Sequence, residues 1–188
     1  MPSVITIYCS GGVRKSTDAH TKLCWGDVER AAVADALSPT RVRFVDPEAP
    51  VADLTDDAAL FGRDLYGVQI ADAVVVDARQ RRGLGIGIEM AAAKLYARPL
   101  VAVVPRDSHY HRNELAFRGG VVSEYIHPHL QGLCDMIVPD FAAAGVWLAR
   151  HRARPSGVKG TDALDAAVRA YKQRLLASDV GMPQTLSG

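Results

Sequence analysis

Ala73-Val-Val-Val-Asp77, then Gly83-Leu-Gly-Ile-Gly-Ile-Glu89, then Met90-Ala-Ala-Ala-Lys-Leu-Tyr-Ala97, then Leu100-Val-Ala-Val-Val104: this order decides the fold. The first and last segments are short apolar runs rich in valine, which predicts buried strands. Between them the spacing predicts a helix over Ile88–Ala97, ending before Arg98-Pro99 because proline disfavours helix in the residue ahead of it. Strand, helix and strand in 32 residues make a parallel unit with a crossover helix. Glu89 follows three glycines and falls in the first turn of that helix. There the unpaired N–H groups and the positive end of the macrodipole favour a charged carboxylate, and glycine lets a ligand come close to the backbone.

Working outward, the same alternation continues. Strands are expected at Val4–Cys9, Arg41–Val45 and Met136–Val138, and helices at Trp25–Leu37, Asp56–Ile70 and Phe141 to about His151. The fold class is α/β: a doubly wound, five-stranded parallel sheet in a flavodoxin- or Rossmann-like three-layer sandwich. In such sheets ligands bind beyond the carboxyl ends of the strands, where strand order reverses, so the loops near Cys9, Asp46, Asp77 and Pro105 should share one edge. This α/β domain spans 1–151. Residues 152–188 are expected to form a linker with Pro155, Ser156, Gly157 and Gly160, a helix capped at Thr161 or Asp162 and running to about Ala177, and a frayed tail from Gly181. The polar, aromatic and histidine-rich stretch after Pro105 is too polar for core and reads as a lid or a contact to a second subunit. There is no internal repeat or low-complexity tract.

Composition narrows the function classes. Of 188 residues 48% are hydrophobic and 23% charged, as in an ordinary soluble domain. Apolar runs are strand-length and the first residues lack the pattern of a secretory signal, so a cytoplasmic protein away from membranes is expected. Cys9, Cys24 and Cys134 are odd in number and have no C-x-x-C spacing, which indicates neither a disulfide framework nor a zinc ribbon. A formal charge of +1 argues against binding a nucleic acid polymer, although Arg79-Gln-Arg-Arg82 could attract a small anion.

Three carboxylates converge on the expected crevice: Glu89, Asp64 in the second helix, and Asp77 at the end of the third strand. Cleaving a glycosidic bond needs such a group to attack or stabilise an oxocarbenium-like carbon, and another to help the leaving group depart. An Asp on a helix is equally a solvated charge, and an Asp ending a strand equally a turn residue. The first loop, Tyr8-Cys-Ser-Gly11-Gly12-Val-Arg14, combines backbone N–H groups with a guanidinium and so can cradle an anion. It has neither the G-x-G-x-x-G spacing nor the Gly-Lys-Ser/Thr of a P-loop.

Together, Ile7-Tyr-Cys-Ser-Gly-Gly-Val-Arg14, Asp64-Leu-Tyr-Gly-Val-Gln-Ile-Ala-Asp-Ala-Val-Val-Val-Asp77 and Gly83-Leu-Gly-Ile-Gly-Ile-Glu-Met-Ala-Ala-Ala93 resemble the nucleoside 2-deoxyribosyltransferase-like superfamily. Within it, the likeness is greatest to the 2′-deoxynucleoside 5′-phosphate N-hydrolases, and it runs from about Val4 to Pro105. The resemblance implies that Glu89 attacks the anomeric carbon to form a glycosyl-enzyme and that Asp64 assists departure of the base. It also implies that Tyr8 lines the sugar pocket and that Arg14 binds phosphate. Gly11, Gly12, Asp77, Gly83, Gly85 and Gly87 complete the expected substrate-binding set. A homodimer is implied, with His109, His111 and Asn113 as candidate contributions from a neighbouring subunit or a lid.

Two positions depart from the pattern. Gly12 and Gly83 stand where monophosphate hydrolases carry serines, and transferases place an Asp near the position of Gly83. Arg81 or Arg82 would then compensate, or the ligand lacks a 5′-phosphate. The histidine pairs at 109/111 and 127/129 have no acidic or thiol spacing beside them, so no metal is expected, and His127-Pro128-His129 reads as the start of a helix. Tyr125, Trp25 and Trp147 read as packing residues. The reading that follows is a cofactor-free N-glycosidase acting on a small nucleoside or nucleoside 5′-monophosphate. Its alternatives are a base-exchanging (deoxy)ribosyltransferase and a non-catalytic nucleotide-binding or sensing module.

Overall fold

Alternation of apolar residues along each short strand sorts the core into two layers, one on either side of a parallel sheet. The computed structural model describes residues 3–15, 21–51, 53–117, 119–155 and 157–182. In chain order the elements are β1 (Val4–Ser10), α1 (Asp27–Leu37), β2 (Arg41–Val45), α2 (Asp57–Ile70), β3 (Ala73–Asp77), α3 (Leu84–Leu95) and β4 (Leu100–Val103). Then come β5 (His111–Phe117), β6 (Gly120–Ile126), α4 (Pro128–Leu133), β7 (Met136–Val138), α5 (Phe141–Ala153) and α6 (Asp162–Arg174), with one 3-10 turn at Leu176–Ser178. The main sheet is five-stranded and parallel throughout, in the order β2-β1-β3-β4-β7. Strand order reverses between β1 and β3, which makes that point the ligand-binding edge.

On one face Ile5, Ile7, Cys9, Val75, Val101 and Val103 pack against Val33 and Leu37 of α1 and Ala144 and Leu148 of α5. On the other, Tyr8, Val74, Val76, Leu100 and Ala102 pack against Val68 of α2, Met90 and Ala93 of α3 and Leu130 of α4. Gly145 permits the close approach of α5 to α1, since a Cβ there would lie 2.7 Å from the Val33 carbonyl oxygen. This is the three-layer α/β sandwich expected from the sequence, with α6 as the extra C-terminal helix.

Two elements differ from expectation. α3 begins at Leu84, four residues before the expected Ile88, with Gly83 at its N-cap. Each interior glycine costs about 1 kcal/mol relative to alanine. Packing overrides that cost, because the extra turn brings Ile86 onto the core beside Met90. The stretch after Pro105 contains an antiparallel hairpin, β5–β6, paired from His111↔Ile126 to Phe117↔Gly120 and turning through Gly119 at φ +80. Its described residues are mostly exposed on both faces, so no alternation marked it as strand.

The segment before α6 is anchored to the domain. Asp135 accepts from Lys94 Nζ at 2.8 Å and from the Leu100 and Lys159 backbone N–H groups at 2.7 and 2.8 Å. Lys159 Nζ donates to the carbonyls of Gln131 and Cys134. Of the expected C-terminal tail, residues 183–188 lie outside the described residues. Among the described residues no helix is long and apolar enough to cross a membrane.

Candidate active site

Successive side chains on β1 point to opposite sides of the sheet, so Tyr8 and Ser10 share the side facing α3 while Ile7 and Cys9 face away. Both hydroxyls reach Glu89. Tyr8 Oη donates to Glu89 Oε1 at 3.0 Å, and Ser10 Oγ donates to Oε2 at 2.5 Å. Glu89 is the sixth residue of α3 and is buried. Its environment is therefore not the helix terminus expected from the sequence. Burial pushes its carboxyl up to about 7, the two hydroxyls pull in the opposite direction, and the charge of Asp64 adds to the rise. Desolvation thus outweighs everything that would favour the charged form. Tyr8 is itself raised by burial and by Glu89, so its hydroxyl stays a donor. Its ring lies against Gly67 of α2, where a Cβ would come within 2.7 Å of Tyr8 Cε2.

Asp64 lines the same crevice as Glu89, and burial raises its carboxyl while neighbouring Arg63 opposes the rise. The Arg63 guanidinium is turned away, donating to the carbonyls of Pro47 and Ala49 at 2.9 Å. The crevice holds about 550 Å³ and brings in Gly11, Gly12, Gly83 and Gly85. Arg14 lies over its rim, in a groove shared with Asp64, where its Nε sits 3.7 Å from Glu48 Oε1. Gly87 faces a different cavity across α3, and His109 lines that one too. His111 and Asn113 stand on β5, away from both cavities, and Asn113 Oδ1 accepts from Arg106.

Asp77 has another task. Its carboxylate is fully buried and takes Arg79 Nε at 2.9 Å and Nη2 at 3.0 Å. Arg82 Nη2 lies 2.7 Å away as an ion pair without hydrogen-bond alignment, while Arg82 Nε donates to the Asp77 carbonyl. Arg79 also reaches Glu29 Oε1 at 2.7 Å and lies over the Phe141 ring. Asp77 therefore fixes the loop that launches α3 and does not line the crevice. Two of the three arginines expected to attract an anion face inward, and Arg81 alone of the three is exposed.

Arg82 also accounts for a departure from the resemblance. A Cβ on Gly12 would meet Arg82 Nη1 at 2.8 Å, so the guanidinium occupies the space a serine would need. Its Nε and Nη1 donate to the carbonyls of Asp77 and Leu23, the latter at 2.8 Å, while Nη2 pairs with the Asp77 carboxylate without a hydrogen bond. Gly83 has nothing within 4 Å of a Cβ. Sequence reasoning missed Ser10 and Gly67 as site residues. The period of two along β1 could have found Ser10, since it shares a face with Tyr8, but Gly67 had no local signal.

The aromatics expected to pack do so: Trp25 is buried between Phe44 and Phe141, and Tyr125 is buried on β6. His127 caps α4 as expected, with Pro128 in its first turn. Among the described residues no group of three or more His, Cys, Asp or Glu side chains could hold a metal ion. The fold and the site define a class: a parallel α/β sandwich with a buried carboxylate at its topological switch point. No protein-family model matches the chain, and no curated protein matches it significantly.

Proposed function

We propose that the protein is an N-glycosidase that hydrolyses the base–sugar bond of a small nucleotide or nucleoside, with Glu89 as nucleophile and Asp64 as proton donor. One observation carries this reading: a buried carboxylate, gripped by Tyr8 and Ser10 on its two oxygens, lines a crevice that also contains a second carboxylate of raised pKa. The likeness of its three motifs to nucleoside 2-deoxyribosyltransferase-like proteins points the same way. In the first step a Glu89 oxygen bonds to C1′ and the C1′–N bond breaks. Its electron pair leaves on the base nitrogen, which takes the proton of Asp64. In the second step water attacks C1′ and gives a proton to Asp64, and the Glu89 carboxylate departs. The sum is nucleotide plus water to free base plus sugar phosphate, and the chemistry requires no cofactor.

A panel of nucleosides and 5′-monophosphates, assayed for free base, tests this. Release from at least one member is expected. Its kcat/KM should fall as pH drops below about 7 and Glu89 takes up a proton. Glu89→Ala should lower the rate by 10³ or more, on the order of a lost covalent step. Turnover that survives Glu89→Ala, or none across the panel, rejects the assignment. Adding a second free base separates hydrolysis from transfer, since a transferase would yield the exchanged nucleoside.

A further inference from the structure

We infer that the substrate carries a second group on its 5′-phosphate, its C1′ end lying against Glu89 and the second group filling the histidine-lined cavity across α3. This rests on the glycosidase reading and adds to it the substrate class: a dinucleotide or similar phosphate-linked conjugate.

The helical period divides α3 into two working faces. Gly85 and Glu89, four residues apart, look into the catalytic crevice, while Leu84, Gly87 and Met90, three apart, look into the second cavity. Arg81, Arg82, Gly83 and Ile86 border both, so the two spaces meet over the start of the helix. The crevice holds about 550 Å³ and its neighbour about 480 Å³. Each is within the range of roughly 300–1,000 Å³ that takes a drug-sized ligand. A mononucleotide lying against Glu89 leaves the second one unused.

The chemistry of the second cavity suits a flat heterocycle. Ile86, Met90 and Leu130 supply an apolar floor. The rings of His109, Tyr110 and His127 line it and stand nearly perpendicular in succession, at 83° and 88°. Burial and the neighbouring imidazoles lower the His127 pKa, which keeps the ring neutral; its Nδ1 accepts from the His129 backbone N–H, so Nε2–H is the group able to donate to a ligand. The ridge between the cavities suits a linking phosphate. Arg81 is exposed there with no hydrogen bond or ion pair among the described residues, and Gly83 leaves open space where a side chain would stand. Glycine at 83 removes a hydroxyl that would close around a terminal phosphate and leaves the path over the ridge open, while Arg82 fills the space beside Gly12. The bond cleaved is still C1′–N, and the phosphate linkage stays intact.

Two substrate pairs that share the scissile half test the inference: adenosine 5′-monophosphate against di(adenosine-5′) diphosphate, and nicotinamide mononucleotide against nicotinamide adenine dinucleotide. In at least one pair the dinucleotide should have a kcat/KM about tenfold or more higher, expressed in KM. Gly87→Leu puts a side chain into open space on the second-cavity face of α3 and should shrink that advantage to about threefold or less, as should His129→Ala, which trims the same cavity. Calorimetry on Glu89→Gln measures the same preference without chemistry. A dinucleotide bound about tenfold tighter than its mononucleotide supports the extended site even where no base is released, an outcome that rejects only the hydrolase reading. Equal kcat/KM and equal affinity within both pairs overturn the inference. So does a dinucleotide advantage untouched by both cavity variants.

Discussion

At the scale of single residues, Glu89 stores a conflict between stability and chemistry. Its pKa is about 7 in the folded chain, against 4.5 for an ordinary glutamate. Between those values the unfolded chain releases a proton that the folded chain retains, so stability falls as pH rises through this window. The penalty is absent below about 4.5 and complete above about 7, where it is on the order of 3 kcal/mol. Glu89→Gln removes the ionisation while keeping a side chain that can meet both hydroxyls. It should therefore unfold at higher denaturant than the parent at pH 8 and at nearly the same denaturant at pH 4. Identical differences at the two pH values would show that Glu89 ionises as freely as in the unfolded chain. The position of Glu89 was legible because glycines and a helix signal bracket it. Its protonation was not legible, because burial depends on what β1 and α2 place around it.

At the scale of elements, the start of α3 decides the site. The sequence placed the helix start at Ile88; the chain makes helix from Leu84, so Gly85 and Gly87 fall inside it and Gly83 stands at its cap. The two glycines that depart from the resemblance now separate physically. Gly83 has room for a side chain and an extended backbone suited to a capping serine, so Gly83→Ser should hold or raise stability by a few tenths of a kcal/mol. Gly12→Ser must push Arg82 Nη1 away from the Leu23 carbonyl and should cost about 1–3 kcal/mol. Urea unfolding of both variants checks this, and equal effects would show that Arg82 does not fill the space beside Gly12. Asp77 illustrates why a strand-end carboxylate is ambiguous in sequence. Its role depends on Arg79 and Arg82, and only the folded loop shows them turned back onto it.

For the whole molecule, the five-stranded parallel sheet and its flanking helix layers were readable from strand-length valine runs alternating with helices, because local pattern and global packing agree there. The hairpin was not, since its strands are mostly exposed and show no alternation of burial, and the second cavity was not, since it arises from contacts distant in sequence. The outer surface bears on assembly. Phe61, Tyr66 and Ile70 of α2 and Leu84, Ile88 and Leu95 of α3 are exposed on two helices packed side by side. We propose that a second copy covers them, as large exposed apolar patches mark interaction surfaces. Light scattering at tens of micromolar should give twice the chain mass, and a monomer mass would refute it. The proposed mechanism turns on covalent glycosylation of Glu89. The most direct measurement is intact and peptide mass spectrometry after incubation with a 2′-fluoro-2′-deoxynucleotide, which slows release of the intermediate. A single sugar-phosphate increment on the peptide holding Glu89, absent in Glu89→Gln, is expected; base release without any adduct, or an adduct on another residue, would contradict the account.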